Sequence, residues 1–541
     1  MPNLNLKSCR IVRPKDATPA ERRAAEELQY WIGKLAGKAP DIGARKEGSN
    51  IILQPSASLG SEAFSIVPKK EDLIISGGRP RGVLYGVYEF LDRFAGVRWL
   101  AHDETIMPGP RGEISLPPNG FSFCPVLAYR EPFFTEAFDG DWAARNRMNS
   151  HFARLTEIHG GKLTYEGFVH TFNLLVPPGE FFSSHPEYFS EIDGKRTGEK
   201  AQLCLANPDV VRIAAERVIS WFRKSPNANI VSVSQNDWGN PCQCPKCSKI
   251  DEQEASKAGS LLSFVNKVAE IVEKDFPDRW IDTLAYQYTR KAPKTIRPRR
   301  NVVVRLCSIE CCFSHPLSSC PENESFKRDT QDWARIAHTL YVWDYVTNFA
   351  HYIMPFPNLR VLQPNVQFFV KNKVKGIFEE GSYPAGGGGE FASLRSYMLS
   401  RILWEPGCDA QAAMEEFTSG YYGAAAGTIR SYIELLHDRV EKGKIHVRIF
   451  DKPDRFLDAR FVDECLSLFD EAKEEAVEER HRRRVRLSRL PLTYSKIFLM
   501  DKSDPARKPL LKDFIQECRG FGITNVSEGK TLDRFAEESL A

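Results

Sequence analysis

Val231-Ser232-Val233-Ser234-Gln235-Asn236-Asp237-Trp238 reads as a strand that runs into polar residues at its end. An ending of that kind suits the C-terminal edge of a parallel β/α sheet, where such folds place their chemistry. Working outward, short β-branched or aromatic runs recur at Val126 to Arg130, Ser150 to Leu155, Gly167 to Thr171, Asn229 to Ser234, Ile281 to Tyr288, Val302 to Ser308, Leu340 to Tyr345 and Val374 to Glu379. Helical patterns fill the gaps at Trp142 to Met148, Pro208 to Arg223, Glu254 to Phe276, Arg328 to His338, Pro357 to Lys371 and Glu390 to Leu403. Eight strands in βα rhythm predict an α/β fold of the (β/α)8 TIM-barrel type.

The flanks differ from this rhythm. Thr18-Pro19 supplies a helix N-cap and first-turn proline, and Ala24, Leu28, Trp31, Ile32 and Leu35 follow at helical spacing. Strands are expected at Asn50 to Leu53, Phe64 to Pro68 and Asp72 to Gly77, then a helix at Arg81 to Phe94. In that helix Gly82 and Gly86, four residues apart, would let it approach a sheet closely. Beyond Trp404 the pattern is helical: Ala410 to Tyr422, Thr428 to Lys444, Asp458 to Phe498 and a stretch near Pro509 to Cys518. The expected division is an α/β accessory domain over residues 1–118, a barrel over 119–408 and a helical region over 409–541, with a flexible loop at Gly386 to Gly389.

The chain has 541 residues, 42% hydrophobic and 27% charged, and no apolar run approaches the roughly 20 residues of a membrane span. A net charge of +3 asks for neither nucleic acid nor an anionic membrane as partner. Arg480 to Arg489 is basic but follows the acidic Glu474 to Glu479, so it reads as a solvated helix face. Met1 to Arg10 has no apolar core of a secretory signal, and the compartment stays open between cytoplasm and export. An oligomer is compatible with all of this.

The residues at the expected strand ends are rich in carboxyl, aromatic and Arg side chains, a set that suits a sugar, whose C–H faces meet rings and whose hydroxyls meet charges. They include Tyr129, Arg130, Glu131, His170, Gln235, Asn236, Asp237, Tyr286, Tyr288, Glu310, Trp343, Asp344, Tyr345, Glu379 and Glu380. Asp237 is the preferred general acid, against the alternative that it caps the following loop. Asn236 could accept the N–H of a 2-acetamido group, with Tyr286 or Tyr288 donating to the acetamido oxygen, or it is a turn residue. Glu379, Glu380 and Asp344 either bind hydroxyls or complete a two-carboxylate mechanism with Asp237; only one of the adjacent glutamates should face the site. Catalysis of this kind needs no cofactor.

Cys242-Gln243-Cys244-Pro245-Lys246-Cys247 is a compact C-x-C-x-x-C cluster. It could hold a structural zinc with a fourth ligand from Cys204, Cys307, Cys311 or Cys312, form a loop-stapling disulfide, or remain free thiols. Thirteen cysteines are present, so at least one is outside any disulfide framework.

The stretch Ser232 to Cys247, with Gln202-Leu203-Cys204, His185-Pro186-Glu187-Tyr188-Phe189, Asp193-Gly194-Lys195-Arg196 and Leu284-Ala285-Tyr286, resembles the bacterial DUF4838 domain. That resemblance implies a barrel related to glycosidases. Gly82-Val83-Leu84-Tyr85-Gly86-Val87-Tyr88-Glu89-Phe90-Leu91 is similar to the accessory domain that precedes the barrel in family 20 hexosaminidases and family 67 α-glucuronidases. In family 20 an Asp-Glu pair at the fourth strand holds the acetamido group and protonates the leaving oxygen, and here the matching position is Asn236-Asp237. Family 20 also grips sugar hydroxyls with an Arg after the first strand, a place Arg130 resembles. Together these imply an exo-acting glycoside hydrolase, a retaining β-N-acetylhexosaminidase for GalNAc or GlcNAc that uses substrate assistance. The alternatives are an α-glucuronidase-like or other two-carboxylate glycosidase, and a carbohydrate-binding protein without turnover.

Overall fold

A computed structural model of the chain describes residues 3–45, 48–386 and 388–540. The main sheet is parallel and has seven strands, labelled here in chain order: β1 Tyr129–Phe133, β2 Tyr165–Glu166, β3 Ile230–Ser232, β4 Trp280–Ala285, β5 Val302–Cys307, β6 Thr339–Tyr345 and β7 Gly376–Glu380. Their order is β1-β7-β6-β5-β4-β3-β2. All six residues of β5 are buried, Arg305 among them, as in a parallel strand covered on both faces.

Seven strands form where eight were expected, and they make a curled parallel half-barrel with helices in which β1 and β2 are the end strands among the described residues. The missing strand is Ser150 to Leu155, and its hydrogen bonds explain why. The backbone N–H groups of His151 and Phe152 donate to the Glu131 carboxylate at 2.9 Å each, and Asn149 accepts the N–H of Arg130. Side chains have taken the places of a ladder. The expected strand Gly167 to Thr171 is broken by positive φ at Gly167 and His170, leaving only the two residues of β2 ahead of it.

The chain divides into two compact units: the first holds Met1–Lys162, Val346–Gln363 and Glu379–Ala541, the second Leu163–Tyr345 and Pro364–Phe378. In the first, strands Arg10–Val12, Asn50–Pro55, Asp72–Gly77, Phe64–Lys69 and Phe121–Phe123 lie side by side in that order as a mixed sheet. Helix Pro19–Ala36 starts with the capping box foreseen at Thr18, completed by Glu21. Helix Gly82–Glu89 presses on the sheet so closely that a Cβ at Gly86 would lie 2.8 Å from Ile75 and one at Gly82 only 2.4 Å from the Ala63 carbonyl.

The C-terminal helices of this unit include Ala459–Glu475 and Glu479–Leu499, two helices where one from Asp458 to Phe498 was expected. The basic run on the second is not wholly solvated. Arg484 is buried, paired with Glu104 at 2.7 Å and stacked 4.0 Å from the Tyr421 ring centre, while Arg482, Arg483 and Arg486 face water. Of the expected glycine loop, Gly387 lies outside the described residues. No helix among the described residues is long and apolar enough to cross a membrane.

Candidate active site

The second unit gathers its polar strand ends around β3, β4, β5 and β6. Beneath them lies a buried ion pair in the sheet: Arg305 of β5 donates to Asp282 of β4 at 2.8 Å, and Ser232 of β3 donates to the same oxygen at 2.9 Å. The Arg305 guanidinium lies over Phe168 at 4.4 Å, Trp343 at 5.0 Å and Tyr165 at 5.2 Å. Its charge is thus balanced by one carboxylate and three aromatic faces. Trp343 also meets Phe378 with ring centres 4.6 Å apart, so this ring is chiefly a wall of the interior.

Asp237 follows β3 and its side chain is 60% exposed. The Tyr286 hydroxyl, at the end of β4, donates to Asp237 Oδ1 at 3.0 Å and accepts from the Gln287 amide at 2.9 Å. Burial, then the Asp237 charge, push the Tyr286 hydroxyl well above its ordinary range, so it stays a donor. His170 brings Nε2 to 3.7 Å from the same Asp237 oxygen, while its Nδ1–H donates to the Gln235 carbonyl at 2.7 Å. A carbonyl only accepts, which fixes the proton on Nδ1. Burial holds the His170 imidazole below its ordinary value, so the ring is neutral at pH 7.

Asp344 ends β6 and is buried, accepting from the Ser308 hydroxyl and from the Tyr345 N–H at 3.0 Å. No cation pairs with it among the described residues, and burial pushes its carboxyl up to about 6. This is a carboxylic acid able to release its proton near neutral pH.

Asn236 departs from the expected role. It is buried, both amide N–H groups donate, to Asn173 and to the Ala201 carbonyl at 3.0 Å each, and its oxygen accepts the Asn173 N–H at 3.1 Å. The side chain fastens a loop and presents no open amide to a ligand. Tyr288 lies in the short turn after β4, where burial and then the Asp251 charge raise its hydroxyl, whereas the Tyr286 hydroxyl meets Asp237.

Three expected site residues belong to the first unit. Arg130 is fully buried and donates to Glu62 at 2.8 Å and to the Arg147 carbonyl at 2.9 Å, so its guanidinium is an internal brace there and the expected grip on sugar hydroxyls is corrected. Glu379 and Glu380 at the end of β7 are both buried; burial first, and then the charges of Glu528 and Glu380, raise the hydroxyls of Tyr352 and Tyr383. Glu131, in the same unit, is pushed up to about 7 by burial, yet its oxygens are taken by the Tyr129 hydroxyl and the two backbone donors that replace a strand.

Cys242, Cys244 and Cys247 come together with Cys204, all buried, as a group able to hold a metal; Cys307, Cys311 and Cys312 are not part of it. Sequence reasoning missed Ser308 and Gln202. Ser308 follows a strand buried along its whole length and gave no periodic signal; Gln202 sits in the motif Gln202-Leu203-Cys204 and was there to be read.

Among curated proteins no sequence match is found. Solved structures that are similar include a GH138 enzyme targeting pectin rhamnogalacturonan II, 10% identical, covering 98% of this chain and 97% of that one, with a TM-score of 0.48. A β-N-acetylhexosaminidase from Bacteroides fragilis is 12% identical over 75% of this chain and 89% of its own, with a TM-score of 0.43. A GH20 exo-β-N-acetylglucosaminidase from Vibrio harveyi is 10% identical over 77% and 74%, with a TM-score of 0.42. The profile of the domain of unknown function DUF4838 matches residues 99–434, more than half of the sequence, and the chain therefore belongs to the DUF4838 family.

Proposed function

We propose that the chain is a glycoside hydrolase in which Asp344 is the general acid and Asp237 the carboxylate that attacks the anomeric carbon or activates a water. The observation that carries this reading is the contrast between the two groups: Asp344 is enclosed and held at about 6, whereas Asp237 is open to solvent beneath the Tyr286 hydroxyl. Most glycosidases work with two carboxyl groups, one of them kept protonated by an enclosed site so that it can deliver a proton. Asp344 gives its proton to the leaving oxygen as the C1–O bond breaks, and the Asp237 side supplies the new bond to C1. The spacing of the carboxyls at substrate then decides retention or inversion.

The acetamido-assisted route loses support at Asn236, whose amide is spent on Asn173 and Ala201. The resemblance to family 20 keeps N-acetylhexosaminides on the panel of substrates, with uronides beside them. The test is hydrolysis of p-nitrophenyl β-GlcNAc, β-GalNAc and α- and β-uronides by the parent, Asp237→Asn and Asp344→Asn. Release that collapses in both variants is expected. Release from an acetamido sugar that is blocked by a thiazoline analogue and survives in Asp344→Asn returns the mechanism to substrate assistance. Silence of the parent across the panel, with sugar binding intact in both variants, makes the protein a carbohydrate binder.

A further inference from the structure

The mechanism above makes no use of the four buried cysteines, and their geometry points to a ligand of its own. We propose that Cys204, Cys242, Cys244 and Cys247 hold a structural zinc ion as a tetrathiolate site. The four sulfurs all lie within 4.8 Å of one another, with Cys204 Sγ 3.7 Å from that of Cys244 and 4.0 Å from that of Cys247. A tetrahedron of Zn–S bonds near 2.3 Å has edges of about 3.8 Å. A disulfide would need about 2.05 Å, and none of the four is so bonded. Four thiols crowded at this distance bury polarisable, deprotonatable groups, and one divalent ion at the centre satisfies all four.

The surroundings match a charged thiolate cluster. Zinc with four thiolates carries a net charge of −2, and the structure supplies donors to it. The Glu191 N–H and the Arg196 guanidinium each reach Cys242 Sγ at 3.5 Å, from the two strands of the hairpin Glu191–Ile192 and Lys195–Arg196. Cys244 is the N-cap of helix Pro245–Glu254, which places Cys247 in its first turn, where the peptide dipoles favour negative sulfur. Such outer hydrogen bonds fix ligand orientation in metal sites. An S4 tetrahedron selects zinc or iron, which metal analysis tells apart.

The site would tie the loop after β3 to the rest of its unit. Two residues before Cys204, Gln202 donates to the carbonyls of Asn236 at 3.0 Å, Trp238 at 2.7 Å and Gly239 at 3.2 Å and accepts the Asn236 N–H at 3.0 Å. Cys242 begins three residues after Gly239. The segment that carries Asp237 is therefore clamped at one end by Gln202 and at the other by the cysteines, so the metal is a positioning device for the loop and not a reagent.

The test is metal analysis of the full chain purified without chelator, and it stands whether or not any sugar is cleaved. Close to one zinc per chain is expected, retained through dialysis and released by a mercurial thiol reagent. Exchange with Co(II) should give the intense visible d–d bands of tetrahedral thiolate coordination. Cys204→Ser is expected to lower zinc content at least tenfold and to expose the segment 236–247 to proteolysis. A metal-free parent whose four thiols all react at once, or whose intact mass shows disulfides among them, overturns the proposal, and so does stoichiometric iron. If Cys204→Ser does not fold, the parent's zinc content and cobalt spectrum decide the matter alone.

Discussion

Asp92 in the first unit and Asp344 in the second are both buried carboxyl groups, and their surroundings drive them in opposite directions. Around Asp92 stand three guanidiniums, Arg147 at 2.7 Å, Arg98 at 2.8 Å and Arg401, and against the cost of burial they hold the carboxyl well below its ordinary range. Glu62 has two, Arg130 and Arg81, each at 2.8 Å, and is likewise held low in spite of its burial. Asp282 has one, Arg305, and there burial wins and the carboxyl rises. Glu390 with Arg395 alone rises as well. Asp344 has none and reaches about 6. The series teaches that one guanidinium does not outweigh full burial here while two do. Glu131 likewise has no guanidinium partner among the described residues and rises to about 7, with burial the largest cause in both.

The largest effect expected from this contrast is on turnover. Asp344→Asn should lower kcat about 10²–10⁴-fold, measured on whichever glycoside the parent cleaves. The same variant should melt at or above the parent's temperature at pH 7, because an amide needs no charge in that pocket. The sign follows from the raised value: the folded protein binds the Asp344 proton more tightly than the unfolded chain, so stability from this group is present at low pH and is lost as pH rises from the ordinary carboxyl range through about 6. Denaturant titrations across that window should show a downward slope in the parent that the variant lacks. A variant that loses both stability and activity at neutral pH would place Asp344 with the structural carboxylates and break the contrast.

Next in size is the opposite experiment in the first unit. Glu62→Ala leaves Arg130 buried with no carboxylate partner, which should cost about 3–5 kcal/mol in a urea titration, since removing one member of a buried pair strands the other. Glu62→Gln, which keeps hydrogen-bond acceptors for both guanidiniums, should recover part of it. If Glu62→Ala melts like the parent, counting guanidiniums is the wrong way to read these interiors.

Tyr286→Phe removes the single hydroxyl that donates to Asp237. A hydrogen bond to a charged group contributes about 1.5–3 kcal/mol when enclosed, but the Asp237 side chain is 60% exposed and water replaces part of the loss. About a tenfold drop in kcat/KM is expected, with the melting temperature nearly unchanged.

Much of this architecture was legible in the sequence, and the failures share a cause. The helix at Thr18, the sheet-hugging pair Gly82 and Gly86, and five of the parallel strands follow from caps, small residues and apolar runs, which are local signals. Ser150 to Leu155 failed because a carboxylate twenty residues away, Glu131, took the backbone donors a strand would have used. Arg130 failed for the same reason: its sequence neighbours place it at a strand end, but its partner Glu62 lies in the accessory sheet's connection and nothing local announces it. Asp237 and Tyr286 were singled out because polar residues at the end of an apolar strand have few structural uses. Asp344 was named but ranked low, since the sequence shows a carboxyl group between Trp343 and Tyr345 and does not show that no cation comes near.

The smallest expected effect sets the limit of the series. Arg290 in the second unit pairs with Glu310 at 3.0 Å and Asp329 at 2.7 Å, so by count it resembles the shared pairs of the first unit. Glu310, however, is 43% exposed, and water solvates it whether or not the guanidinium is present. Removing its charge with Glu310→Gln should therefore change stability by less than about 1 kcal/mol, and the change should shrink further in high salt. A loss near that of Glu62→Ala would mean that partner number alone governs these pairs. A negligible loss ties the rule to exclusion of water, which is the condition that raises Asp344.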